Sequence, residues 1–205
     1  MKNKLGTLIV MSGPSGTGKS SILNEVIGNL ENINFSVSCT TRQPRVGEKD
    51  GESYHFISQE EFDERVKNNE FIEYATVHGN SYGTLKSEVI QHLCNGEDVI
   101  LDIDVQGALL IKEEAKKDDI LNQCIETVFV APPSYEELEG RLRGRNTETE
   151  DVVNKRLSAA KKELDAWNKY DYLVINDNLE EAILEMNSII ISFRRKTKKI
   201  KELSF

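Results

Sequence analysis

Gly13-Pro14-Ser15-Gly16-Thr17-Gly18-Lys19-Ser20 satisfies the pattern G-x-x-x-x-G-K-[ST] and follows the short apolar run Leu8-Ile9-Val10-Met11. A strand, a glycine-rich turn and then a helix is the context in which such a motif cradles phosphates. Glycines at 13, 16 and 18 let backbone N–H groups turn inward around dense negative charge, with no Cβ in the way. Lys19 then brings a point charge to the β- and γ-phosphates of a bound triphosphate. Ser20, at the start of the next helix, offers a hydroxyl to Mg²⁺, and the positive end of that helix's dipole adds to both. A turn that merely joins strand to helix explains the glycines but not Lys-Ser in register behind them.

Composition narrows what surrounds this loop. With 205 residues, 38% of them hydrophobic, the chain can bury a sizeable core. A net charge of -9 argues against a general nucleic-acid binder, which needs excess Lys and Arg to displace counterions. Phosphate chemistry must therefore sit in a locally basic pocket. Met1-Lys2-Asn3-Lys4 leads into about seven apolar-leaning residues before Gly13, too few for a signal peptide or a membrane span. The expectation is a cytoplasmic enzyme with neither membrane nor nucleic-acid partners. Cys39, Cys94 and Cys124 are widely spaced, and His55, His78 and His92 show no ligand spacing, so neither a disulfide framework nor a zinc site is expected.

Taken in order, Ser21 to Leu30 places Ile22, Leu23, Val26, Ile27 and Leu30 on one helical stripe, and Ile33, Phe35 and Val37 alternate as in a strand. Cys39 to Ser53, rich in glycine, proline and charge, reads as a surface loop. Tyr54 to Ile57 reads as a strand, Ser58-Gln-Glu-Glu61 as a capping box, and Phe71 to Val77 as a further strand stopped by Gly79-Asn80. Residues 38–90 thus resemble an inserted unit rather than one more strand-helix repeat. A helix from Lys86 to Asn95 is closed by Gly96, and the apolar run from Val99 ends in the acids Asp102 and Asp104. Gln106 to Lys117 follows as a helix, then the strand Thr127 to Val130. Ser134-Tyr-Glu-Glu137 caps a helix carrying Arg141, Arg143 and Arg145. A long helix to about Lys169, the strand Tyr172 to Ile175 and a helix from Leu179 to about Lys199 complete the chain, whose basic end reads as a solvated helix terminus. Outside the insertion, strand and helix alternate five times, the signature of an α/β fold with a five-stranded parallel sheet flanked by helices.

A nucleotide-binding loop leaves the second ligand open. Asp104-Val-Gln-Gly107 and Asn168-Lys-Tyr-Asp171 fit the D-x-x-G and N-K-x-D of GTPase switches. A guanine-reading N-K-x-D must follow a buried strand, however, and here the strand comes after the motif. Asp102 at a strand end beside the loop suits a Mg²⁺ held through its waters, together with Ser20. Arg42 with Arg45, and Arg141, Arg143 and Arg145, form two groups of phosphate-seeking side chains, which points to two phosphate-bearing ligands.

Ser12 to Ser20, Ser38-Cys-Thr-Thr-Arg-Gln-Pro-Arg-Val-Gly-Glu48, Gly51 to Phe56, Phe71 to Ala75, Gly79 to Thr84 and Ile100 to Gly107 together resemble guanylate kinase, from about residue 5 to 195. The resemblance implies transfer of the γ-phosphoryl of ATP to GMP with Mg²⁺. It also implies a P-loop core (1–37, 91–130 and 157–205), a small mixed α/β GMP-binding insertion (38–90) and a helical lid (131–156). By position, Gly13, Pro14, Ser15, Gly16, Thr17, Gly18, Lys19, Ser20, Ser21 and Asn176 would bind ATP. Ser38, Arg42, Arg45, Tyr54, Glu73, Tyr82, Thr84 and Asp104 would bind GMP. Lys19, Arg42, Arg141, Arg145 and Arg156 would serve catalysis, with no general base required. A monomer or homodimer is expected. The competing readings are a kinase-like interaction module, which the intact loop disfavours, and another nucleoside monophosphate kinase.

Overall fold

The computed structural model describes residues 4–77, 79–144 and 150–200. The chain runs β1 (Leu8–Ser12), α1 (Lys19–Asn29), β2 (Ile33–Phe35), β3 (Cys39–Thr40), β4 (His55–Phe56), α2 (Gln59–Lys67), β5 (Phe71–Val77), β6 (Asn80–Leu85) and α3 (Lys86–Cys94). It continues β7 (Asp98–Asp102), α4 (Val105–Ala115), α5 (Asp119–Cys124), β8 (Ile125–Ala131), α6 (Tyr135–Arg143), α7 (Glu150–Leu164), β9 (Tyr172–Ile175) and α8 (Leu179–Phe193). Short 3₁₀ turns follow α7 and α8, at Trp167–Lys169 and Thr197–Lys199.

β1 is buried at every position, as an unbroken apolar run requires of a strand covered on both faces. It is the middle strand of a parallel sheet ordered β2-β7-β1-β8-β9. Side chains alternate across this sheet. Leu8, Val10, Val99 and Leu101 meet α3, α4 and α5, whereas Ile9, Met11, Ile100 and Val128 meet α1 and α8. Parallel strands all present their carboxyl ends at one edge, and the Gly13–Ser20 loop leaves β1 there.

The segment between β2 and α3 forms a second sheet, ordered β4-β3-β6-β5. One expectation is corrected in it. Cys39 and Thr40, assigned to a surface loop, are a fully buried strand, tied to the β5–β6 hairpin by the Thr40 hydroxyl donating to the Ser81 carbonyl at 3.1 Å. β5 has the expected bounds and ends before Gly79-Asn80; what the sequence left unassigned is β6, which returns as the second strand of an antiparallel hairpin, with Glu73 facing Thr84. Residue 90, the expected end of the insertion, falls inside α3, whose Val89 and Leu93 are wholly buried in the main core. β2 stops before Val37, and α5, capped by Asp118, is an additional helix.

The last helix also ends earlier than its periodicity implied, and its basic end is only partly solvated. Lys199 is 2% exposed and donates to the Thr7 hydroxyl at 3.0 Å, while Lys196 Nζ lies 2.6 Å from Glu126 Oε2. Lys199 and Lys198 add ion pairs to Glu126 Oε1 at 3.4 and 3.6 Å, and Arg194 pairs with Asp98 at 2.6 Å. Asp98 and Glu126 begin buried strands, so each carboxylate requires cations brought to it. The long α7 likewise stops at Leu164. Asp171 then accepts from the Thr127 hydroxyl at 2.6 Å and from Lys112 at 2.8 Å, at the sheet edge opposite the loop, so Asn168–Asp171 is a structural corner and not a base reader.

Glu126→Gln should lower stability by about 2–4 kcal/mol, because it strips the counter-charge from a buried lysine. Lys198→Ala, at an exposed member of the same cluster, should cost under about 1 kcal/mol. Urea unfolding of both variants checks the contrast, and equal losses would contradict this account of the tail.

Candidate functional site

Backbone geometry fixes the loop first. Gly13 and Gly18 have φ of +147° and +88°, and a Cβ at either would fall 2.2 Å from another group, the Val130 carbonyl oxygen and the Asn176 side-chain amide respectively. Only glycine fits between the sheet and the turn. Inside the loop the Thr17 hydroxyl donates to the Pro14 carbonyl at 3.0 Å. Lys19 Nζ bends over the loop to the Gly13 and Pro14 carbonyls at 2.6 and 3.3 Å. α1 opens on Lys19 with no side-chain cap at Gly18, leaving its first-turn N–H groups to a ligand, with Ser20 and Ser21 exposed there. Asn176, just past β9 and 4% exposed, donates to the Thr17 carbonyl at 2.8 Å. The resemblance places it near adenine; its side chain shapes the loop itself.

α6 and α7 lie against the same turn. Leu138 and Leu142 of α6 pack beside Gly16, and Arg156 of α7 donates to the Ser15 hydroxyl at 3.1 Å. Arg141 is held by Glu137 at 3.0 Å and Arg143 by Glu139 at 2.8 Å. Arg145 lies outside the described residues.

Across the carboxyl edge of the sheet, Ser38, Tyr54, Glu73, Tyr82, Asp102 and Asp104 line a cavity of ≈ 300 Å³. A relay of hydroxyls sets its floor: Ser38 Oγ lies 3.3 Å from Thr84 Oγ1, which donates to Glu73 Oε1 at 2.8 Å. Burial raises the Glu73 pKa and the neighbouring Asp104 charge adds to this, with Thr84 opposing. Asp104 is not a strand end. It is the N-cap of α4, accepting from the Gly107 N–H at 2.8 Å. Asp102, the last residue of β7, is paired in register with Met11 just before the loop. Burial raises its pKa while the Lys19 charge pulls it back.

Behind Tyr54, Arg42 makes a two-pronged contact with Glu48 at 2.8 and 3.0 Å and lies over the Tyr54 ring at 5.5 Å. Arg42 holds the Glu48 carboxyl below its usual range, aided by the Arg45 backbone N–H at 2.7 Å. Tyr54 and Tyr82 meet edge to face at 5.9 Å. The structure therefore brings Ser38, Tyr54, Glu73, Tyr82 and Asp104 to one cavity; Thr84 is buried behind it, bonded to Glu73, and Arg42 reaches it only through its contact with the Tyr54 ring, with Arg45 on the exposed loop. Sequence reasoning assigned no role to Glu48, although it closes the T-R-x-P-R-x-G-E block. Nor did it assign one to Gln106 or Gly107, which also line the cavity; a glycine inside the first turn of a helix was the available signal.

Comparisons with known proteins agree with this geometry. The sequence model of the guanylate kinase family matches residues 5–193. The guanylate kinase of Clostridium tetani is 48% identical over 197 residues, covering 96% of this chain and 91% of its own. That of Thermotoga maritima is 49% identical over 191 residues, covering 93% and 89%. The crystal structure of guanylate kinase from Anaplasma phagocytophilum matches with a TM-score of 0.72 at 33% identity, over 98% of this chain and 93% of that one. With matches of this extent in sequence and in fold, the chain belongs to the guanylate kinase family.

Proposed function

We propose that this protein transfers the γ-phosphoryl group of ATP to GMP, giving ADP and GDP. The observation that carries this reading is a half-buried carboxylate, Glu73, in a cavity that extends to Asp102, the strand-end acid beside the phosphate loop. Guanine offers two adjacent donors, N1–H and N2–H₂, beside an acceptor, O6. Glu73 accepts from the donors, and the Ser38 hydroxyl turns its proton from Thr84 to O6. Adenine would turn a lone pair toward Glu73 and leave a buried charge poorly paired, a mismatch of about 10⁴-fold or more.

An oxygen of the GMP phosphate attacks the γ-phosphorus, the bond to the β,γ-bridging oxygen breaks, and ADP leaves with the electron pair. The acceptor oxygen is already ionised, so alignment and charge neutralisation suffice without a general base. Lys19 exchanges the Gly13 and Pro14 carbonyls for the β- and γ-phosphates. Arg42, with Arg45, Tyr54 and Tyr82, takes the GMP phosphate, and Arg141, Arg145 and Arg156 approach the transferring group as the insertion and lid close. The Ser20 hydroxyl and Asp102 carboxylate are hard oxygen donors, few enough to leave a Mg²⁺ its waters and phosphate oxygens, and they fit such an ion. When bound, it neutralises charge developing on the β- and γ-oxygens. The reaction belongs to purine nucleotide metabolism in the cytoplasm; among the described residues no helix is long and apolar enough to cross a membrane.

ADP release from ATP, measured with GMP, AMP, CMP and UMP in turn, tests the assignment: GMP should exceed the others by about 10³-fold or more in kcat/KM. In Glu73→Gln that preference should collapse, because an amide oxygen accepts without the charge and its NH₂ opposes a donor. The wild-type acid limb for GMP should lie above the ordinary carboxylate pKa of about 4.3, since Glu73 must be ionised to accept and its folded pKa is raised.

Lys19→Met should fold normally and lose at least about a hundredfold in kcat, as removal of a transition-state charge requires. Near-normal turnover would remove the kinase reading.

Arg42→Ala should raise the KM for GMP about tenfold or more while the KM for ATP moves little, because Arg42 lies with Glu48 and Tyr54 in the insertion. Equal loss for both nucleotides would contradict two separate phosphate sites.

A further inference from the structure

Gly107 is the third residue of α4, and its backbone does not ask for glycine. Its φ lies outside the left-handed region. Within a helix, glycine is less favourable than alanine. Packing does not ask for it either. A Cβ at Gly6 would fall 1.8 Å from a backbone oxygen, but at Gly107 its three nearest neighbours are Asp104 Oδ1 at 3.5 Å, Ile103 Cδ1 at 3.6 Å and Glu73 Oε2 at 3.8 Å. These are ordinary contact distances, so the folded protein has room for a methyl group. That methyl would stand in the cavity Gly107 lines, against the two carboxylates that face it.

The two acids are differently engaged. Glu73 Oε1 takes the Thr84 hydroxyl at 2.8 Å, which leaves Oε2 as the oxygen turned toward Gly107. Asp104 is fixed beside it by the Gly107 N–H. Two neighbouring carboxylates suit a group that carries two N–H bonds on one nitrogen, as an exocyclic amine does. Such a nitrogen must come within about 2.9 Å of its acceptor oxygen. A methyl carbon 3.8 Å from the same oxygen, on the cavity side, would compete for that space. A ring C–H in place of the amine is shorter and makes no such approach.

We propose that Gly107 is a specificity-determining residue: its missing side chain keeps open the place where the 2-amino group of a purine nucleotide reaches Glu73 Oε2. Preference for a 2-aminopurine acceptor over the hypoxanthine analogue then depends on Gly107 as well as on the carboxylates. The inference rests on the assignment of GMP as the acceptor.

The test is Gly107→Ala, assayed for kcat/KM with GMP and with IMP and for Tm. For GMP the value should fall at least about thirtyfold and for IMP less than about threefold, so that the GMP-to-IMP ratio drops tenfold or more. Tm should hold or rise by about 1–3 °C, since alanine is the better helix former. A ratio that drops by less than about threefold would overturn the proposal. So would a Tm lowered by more than about 5 °C, which would show that the methyl does not fit. A wild type that does not phosphorylate GMP would defeat the functional assignment itself; normal GMP use with an unaltered ratio in the variant would defeat only the role of Gly107.

Discussion

An acidic chain that handles phosphate esters has to keep cations where they are needed without losing them to its own acids. The described cations around the loop rest on oxygens of the protein: Lys19 on two loop carbonyls, Arg42 on Glu48, Arg141 on Glu137 and Arg156 on the Ser15 hydroxyl. These holds differ in strength. Arg141 and Glu137 form an i,i+4 pair on a helix with Glu137 half exposed, the kind of contact worth little in water. Arg42 and Glu48 match fork to fork and are less exposed, so a phosphate taking Arg42 must offer the same planar pair of acceptors. A phosphate does so, which makes exchange close to balanced and lets the site rest in one arrangement while being ready for another.

The loop can hold Lys19 in place only because the sheet holds the loop. Gly13 passes so close to the Val130 carbonyl that no side chain fits, and Asn176 ties the Thr17 carbonyl to the end of β9. β8 and β9 are thus as much a part of the phosphate cradle as β1, and the cores on both faces of the sheet set the loop's position. Asn176 shows how one buried amide shapes the loop, by satisfying a carbonyl that an inward turn would leave unpaired.

Elements announced by local chemistry were legible in the sequence. Ser58 and Ser134 accept from the N–H groups of Glu61 and Glu137 as their capping boxes imply, and Gly96 turns the chain at φ +82° just past α3. Four of the five parallel strands follow from short apolar runs, and β2 from the alternation of Ile33 and Phe35 about Asn34. What escaped depends on partners far along the chain. Cys39–Thr40 is polar in context and becomes a buried strand because β6 and β4 pair with it. Lys199 reads as one more basic residue near a terminus and is buried because Glu126, 73 positions earlier, needs it. Asp104 looked like the end of an acidic strand; two residues past β7, it caps the next helix instead. For Cys39–Thr40 and Lys199 the deciding contact has no local trace in the residues around it; for Asp104 it is local, the Gly107 N–H three residues on.

The acids at the two edges of the sheet are engaged differently, and this division separates stability from chemistry. At the amino edge, Asp98 has Arg194, Glu126 has three lysines, and Asp171 has Lys112 and Thr127, which together hold its carboxyl below the usual range against the opposing effect of burial. These acids are neutralised by the protein in a permanent way. At the carboxyl edge, burial instead raises the pKa values of Asp102 and Glu73. Full pairing there would relieve the burial penalty but would leave nothing for a ligand to satisfy. An under-neutralised carboxylate inside a cavity is unfavourable until a donor arrives, and a purine edge that supplies that donor gains what the empty site lacks. Recognition is then selective for the group that completes the pairing, and the fully paired opposite edge keeps the fold stable enough to tolerate it.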